Sequence, residues 1–132
     1  MGAMIANADL PQVLVIDDEM GPRESLRMLL KPSYQVHTAD SVEIGLQLLN
    51  EKKPDAIVLD IRMPGVTGIE GLRRIRQIDP HLSVIMLTGF GDLMDARGEK
   101  PLGVSVLVSK PVSGDVLQRA IATAMAGPTS AG

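Results

Sequence analysis

Ile57-Val58-Leu59-Asp60-Ile61-Arg62-Met63-Pro64-Gly65-Val66-Thr67-Gly68 is the stretch on which the reading of this chain turns. It is a β-branched apolar run that closes on a carboxylate and breaks at once into a Pro/Gly turn. Asp is depleted in strands and seldom fully buried without a partner. A carboxylate at the exit of a buried strand therefore asks for a chemical reason. Immediately downstream, Thr67 and Glu70 have capping-box spacing, and Ile69, Leu72 and Ile75 mark the apolar stripe of a helix, which Asp79-Pro80 breaks.

Working outward, the same pattern recurs. Val13 to Ile16 is an apolar strand followed by Asp17-Asp18-Glu19, with Pro22 suited to a first helical turn and Leu26, Leu29 and Leu30 as a helix stripe closed by Pro32. Tyr34 to Thr38 is a more polar strand, placed at an edge. Asp40 and Glu43 form a second capping box before Val42, Leu46 and Leu49, where Gly45 costs about 1 kcal/mol relative to Ala. Val84 to Leu87 ends in Thr88-Gly89, and a weak helix pattern covers residues 92–97. Val104 to Val108 leads to Ser109-Lys110-Pro111. Ser113 is a good N-cap for a last helix with Leu117, Ala120, Ile121 and Ala124 inward. Strands alternating with helices, without hairpin spacing, predict an α/β fold with a parallel sheet.

Composition narrows the function. At 132 residues the chain is long enough for one domain with one core, built without aromatics (2%). The absence of cysteine excludes disulfides, zinc–thiolate sites and thiol catalysis. A net charge of −3, with no basic run or aromatic platform, argues against nucleic-acid binding. The apolar runs are far short of the ~18 residues needed to cross a bilayer. Residues 1–10 are set aside as an N-terminal extension, expression-derived at its start, and 127–132 as a flexible tail. The Gly2-Ala3 start and that tail favour a piece of a larger protein.

In a parallel sheet all strand C-termini lie on one edge, where ligands bind in open α/β folds. Asp17, Asp18, Asp60, Thr88 and Lys110 all fall there. Like charges about 4 Å apart repel by about 4 kcal/mol at an effective dielectric near 20, so cations must compensate. Lys110 is one; a hard divalent ion with oxygen ligands, Mg²⁺ rather than a caged Ca²⁺, is the natural second. Such a site suits a phosphoryl group, with Asp60 as a carboxylate nucleophile. His37 and His81 read as structural or surface residues. Arg73, Arg74 and Arg76 read as a solvated helix face.

These four segments, residues 13–19, 57–65, 84–89 and 109–111, together resemble the receiver domains of two-component response regulators, over about residues 12–125. The resemblance implies a flavodoxin-like, doubly wound five-stranded parallel sheet of order 2-1-3-4-5 with helices on both faces, over residues 11–126. It implies that Asp60 is the phosphoacceptor, and that Asp17, Asp18, Asp60 and the Arg62 backbone carbonyl hold Mg²⁺. Lys110 contacts the phosphoryl group, oriented by a cis bond to Pro111, and Thr88 reorients towards it. The implied role is that of a signalling phosphoacceptor rather than an enzyme. The implied donor is a sensor histidine kinase or histidine phosphotransfer protein, and the implied setting of this chain is the cytoplasm. A fused effector domain and a weak homodimer also belong to the family pattern.

Two departures concern output. Leu107 stands where receivers usually carry a Tyr or Phe that moves with the Thr. Gly98 and Pro101 shorten the helix between the fourth and fifth strands, which is expected to end near Arg97 with an irregular link to Gly103. They motivate an alternative, a receiver-like scaffold that signals without phosphorylation. An aspartyl phosphatase is disfavoured by Arg62, two residues after Asp60, where such enzymes carry a second Asp. Arg62 and Phe90 are candidates to shield an acyl phosphate from water.

Overall fold

The structure is a computed structural model that describes residues 9–89 and 103–127. Five strands, β1 (Gln12–Ile16), β2 (Gln35–Ala39), β3 (Ala56–Asp60), β4 (Ser83–Thr88) and β5 (Val106–Ser109), alternate with helices α1 (Met20–Leu30), α2 (Val42–Lys52), α3 (Gly68–Ile78) and α4 (Gly114–Met125). Every pairing is parallel, and the order is β2-β1-β3-β4-β5. The sheet order and class expected from sequence are those observed. The helix expected over residues 92–97 and its irregular link lie outside the described residues.

The period-two geometry of strands divides the core between the sheet's two faces. Leu14, Ile16, Ile57, Leu59, Val84 and Met86 pack with Val42, Leu49, Leu72 and Ile75 of α2 and α3. Val13, Val15, Ala56, Val58, Ile85 and Leu87 pack with Leu26, Leu30, Leu117, Ala120 and Ile121 of α1 and α4. Each fully buried Val, Leu or Ile contributes about 1.5–3 kcal/mol, which is how a chain with so few aromatics holds together. By the same alternation Asp60 belongs to the face of Ala56 and Val58, and Thr88 to the face of Val84 and Met86.

Several local expectations need correction. The cap of α2 is Ser41, whose hydroxyl accepts from the Ile44 amide at 3.2 Å, not Asp40. Leu29 and Ile69, expected on inner stripes, are exposed; a stripe chosen by spacing alone is wider than the strip a sheet covers. Thr67 does cap α3 by accepting from the Glu70 amide. Glu70 turns to Arg73 and Arg74 instead, whose guanidiniums hold its carboxyl down at about 2. Arg76 is no solvated bystander: its Nε donates to the Gly103 carbonyl at 2.7 Å and its guanidinium to the Asp79 carbonyl at 3.1 Å. Gly45 has a packing reason, since a Cβ there would lie 2.4 Å from Ile16 Cδ1.

Candidate functional site

β1 and β3 lie side by side with Ile16 opposite Leu59, so Asp17 and Asp60 leave adjacent strands at one level. Both are buried, at 1% and 3% exposure, and with Thr88 they are the buried polar side chains among the described residues. β5 supplies the cation. The Lys110 amide donates to the Thr88 carbonyl at 2.7 Å, and the bond to Pro111 is cis. The Lys110 ammonium reaches the Asp60 Oδ2 at 2.8 Å. The other Asp60 oxygen accepts from the Arg62 amide at 3.1 Å. A buried carboxylate thus has one charged and one backbone donor, the arrangement that makes burial tolerable.

Asp17 has less compensation. Its Oδ1 accepts from the Glu19 amide at 2.9 Å. Burial nevertheless pushes its pKa up, with the Asp60 and Asp18 carboxylates adding to the rise and the Glu19 N–H and Lys110 opposing it. Asp18 is only half-buried. Among the described residues no three His, Cys, Asp or Glu side chains gather closely enough to hold a metal ion by themselves. The donor set still fits Mg²⁺, which characteristically takes one or two carboxylates and keeps several waters. Two buried carboxylates facing one ammonium also leave a negative pocket that a further cation balances.

The loop after β3 is shaped by two glycines. Gly65 adopts φ +72°, a left-handed turn that Gly enters without steric cost, and the chain folds back so that Met63 is buried. Gly68 then opens α3 directly against the strand end. Its amide donates to the Ile61 carbonyl at 2.9 Å, and a Cβ on it would sit 2.1 Å from the Asp60 carbonyl oxygen and 2.6 Å from Ile61 Cα. No spacing rule marked Gly68; its signal is a glycine at a helix start where no turn demands one. On the other side, Arg23 of α1 donates to the Asp17 carbonyl at 3.0 Å, a contact that no motif announced.

Thr88, 7% exposed, donates its hydroxyl to the neighbouring Gly89 carbonyl at 3.3 Å. Leu107 is partly buried against the α2–α3 face of the core, and Arg62 is exposed. Phe90 lies outside the described residues. A cleft of about 210 Å³ adjoins the site, lined by Asp17 and Lys110 together with Pro22, Leu26, Leu29 and Val112.

Residues 13–122 match the model of the response regulator receiver domain. Over 113 residues the chain is 42% identical to the transcriptional regulatory protein AfsQ1 of Streptomyces coelicolor, covering 85% of this chain and 50% of that protein. It is 32% identical over 111 residues to sporulation initiation phosphotransferase F of Bacillus subtilis, covering 83% of this chain and 90% of that one. Among solved structures, a receiver domain protein from Clostridium thermocellum superposes with a TM-score of 0.82 at 37% identity, over 89% of this chain and 95% of that one. The chain thus spans half the length of the first of these relatives and nearly all of the second.

Proposed function

The chain belongs to the receiver domains of two-component response regulators, and from that premise we propose that Asp60 is the residue it phosphorylates. The observation that carries the reading is the buried Asp60 carboxylate held by Lys110 at 2.8 Å beside a second buried carboxylate, Asp17. The donor is a phosphohistidine of a sensor kinase or phosphotransfer protein. An Asp60 oxygen attacks the phosphorus, the P–N bond breaks, and the imidazole nitrogen keeps the electron pair. Transfer of this kind depends mainly on positioning and charge neutralisation. Lys110 pairs with a phosphoryl oxygen as the carboxylate becomes an acyl phosphate. The Thr88 hydroxyl exchanges the Gly89 carbonyl for another phosphoryl oxygen.

Asp17, Asp18, Asp60 and the Arg62 carbonyl would hold Mg²⁺, which when bound neutralises phosphoryl charge. The chain acts as a phosphoacceptor that assists its own modification rather than as an enzyme with a separate substrate. Its setting on this reading is the cytoplasm; no helix among the described residues is long and apolar enough to cross a membrane. Fusion to an effector, as the coverage of AfsQ1 suggests, and weak self-association are further parts of the proposal.

The test is Mg²⁺-dependent labelling by acetyl phosphate. Wild-type protein takes up one phosphoryl group by intact mass, and Asp60→Asn takes none. Labelling of Asp60→Asn at the wild-type level, or none in wild type, overturns the assignment.

A further inference from the structure

We infer that Arg23 is a positioning residue for the acidic pair, setting the direction of Asp18 and with it the strength of cation binding. The inference rests on the cation-binding role given above to Asp17 and Asp18. Arg23 is the fourth residue of α1 and half-buried. Its guanidinium crosses back over the β1–α1 turn to donate to the Asp17 carbonyl at 3.0 Å. That carbonyl belongs to the planar peptide unit joining Asp17 to Asp18. A hydrogen bond to its oxygen disfavours rotation of that plane and so restrains where the Asp18 Cα lies.

The remaining bonds of the turn act on its other parts. The Asp17 amide donates to the Ala39 carbonyl at 3.1 Å, and the Asp17 Oδ1 is held by the Glu19 amide. The Arg23 amide donates to the Glu19 carbonyl at 3.0 Å, so the residue closes the turn with both its backbone and its side chain. Asp17 is therefore fixed by strand and turn, whereas Asp18 inherits its direction through the peptide that Arg23 grips. The start of α1 offers no substitute: Glu19 at its N-cap makes no side-chain capping bond, and its first turn holds no acidic residue. Nor, among the described residues, do three side chains gather closely enough to bind an ion unaided. A carboxylate whose aim is set from outside is then worth more than its own charge.

Two opposing effects make the inference decidable. Guanidinium charge near two carboxylates competes with a bound cation, so charge removal alone would tighten Mg²⁺ binding. Loss of positioning weakens it; outer-shell partners of metal ligands are typically worth 10–100-fold in affinity.

The experiment is calorimetric titration of the unphosphorylated protein with MgCl₂ for wild type, Arg23→Ala, Arg23→Lys and Arg76→Ala, with thermal unfolding in EDTA for each. Arg23→Ala is expected to bind Mg²⁺ about tenfold more weakly, and Arg23→Lys, which keeps charge and a donor, to recover part of that loss. Arg76→Ala, at the opposite edge of the sheet, is expected to unfold more easily yet bind as wild type does. Unchanged or tighter binding by Arg23→Ala overturns the inference alone. Loss of affinity in Arg76→Ala equal to that in Arg23→Ala overturns it too, by tracing both to general loosening. Failure of wild type to bind Mg²⁺ overturns this inference and the cation site together. If Arg23→Ala does not fold, wild-type affinity in a folded Arg23→Lys overturns the inference and a several-fold loss supports it.

Discussion

The two edges of the sheet use the same bonds to opposite ends. Where the strands begin, Gln12 donates its amide to Asp55 and meets His37 through its side chain. Arg76 ties Gly103 and Asp79, and the Ser83 hydroxyl donates to the Ala124 carbonyl. Those polar side chains are exposed or half-buried and simply close loops. Where the strands end, Asp17, Asp60 and Thr88 are buried, two of them like-charged. Close backbone packing and a lysine keep them there. One edge closes loops; the other keeps two like-charged carboxylates buried side by side.

The comparison breaks if substitutions at the two edges behave alike. The largest effect is expected from Gly68→Ala, because its Cβ meets the Asp60 and Ile61 backbone and α3 must shift. A loss of about 3 kcal/mol, the upper range for overpacking, should appear in the urea midpoint. Arg76→Ala at the other edge should cost about 1 kcal/mol. Next comes Lys110→Met, which leaves the Asp60 carboxylate buried without its ammonium. Breaking a wholly buried pair costs about 3–5 kcal/mol; since Lys110 is 38% exposed, solvent screening lowers the expected loss at pH 7 to about 1–3 kcal/mol.

Asp17→Asn should act in the other direction. A carboxyl whose pKa is raised in the fold binds its proton more tightly there than in the unfolded chain. Its contribution is fully present below the unfolded value near 3.8 and is lost as pH rises through the raised value. The amide removes that loss while still accepting the Glu19 N–H. At pH 7 without Mg²⁺ it should stabilise the fold by about 0.5–2 kcal/mol, while Mg²⁺-dependent labelling falls. Destabilisation instead would show that the edge is not electrostatically strained.

The smallest effect is at His37. Burial, with the nearby Lys52 charge, holds its pKa below the usual 6.5. Its contribution is thus present above pH 6.5 and lost as pH falls through the lowered value. His37→Gln should flatten stability in that window by no more than about 0.5 kcal/mol.

Much of this was legible in one dimension because strands and their exits are local. The runs at 13–16, 56–59 and 84–87 announced a buried parallel sheet, and the polar residues following them marked its working edge. Ser41 was missed in favour of Asp40 because two capping residue types stand next to each other and only backbone direction separates them. Arg76 and Arg23 were illegible for a different reason. Each acts on a carbonyl, Gly103 and Asp17, and any residue type presents a carbonyl, so nothing in the partner's identity marks the contact. Asp60 closes β3, and Asp17, one residue past β1, is still tied to β2 through the Ala39 carbonyl, but Asp18 lies one residue further into the turn, where strand spacing no longer tells which way a side chain points.

The alternation along β3 and β4 carries one further consequence. Asp60 shares a face with Ala56 and Val58, whereas Thr88 shares the opposite face with Val84 and Met86, and Leu107 packs on that second face too. A change at Asp60 therefore reaches Leu107 either through the plane of the sheet or round its rim by way of Thr88, the last residue of β4. The sheet thus divides the face of the proposed phosphoacceptor, with α1 and α4, from the face of α2 and α3 on which Thr88 and Leu107 lie.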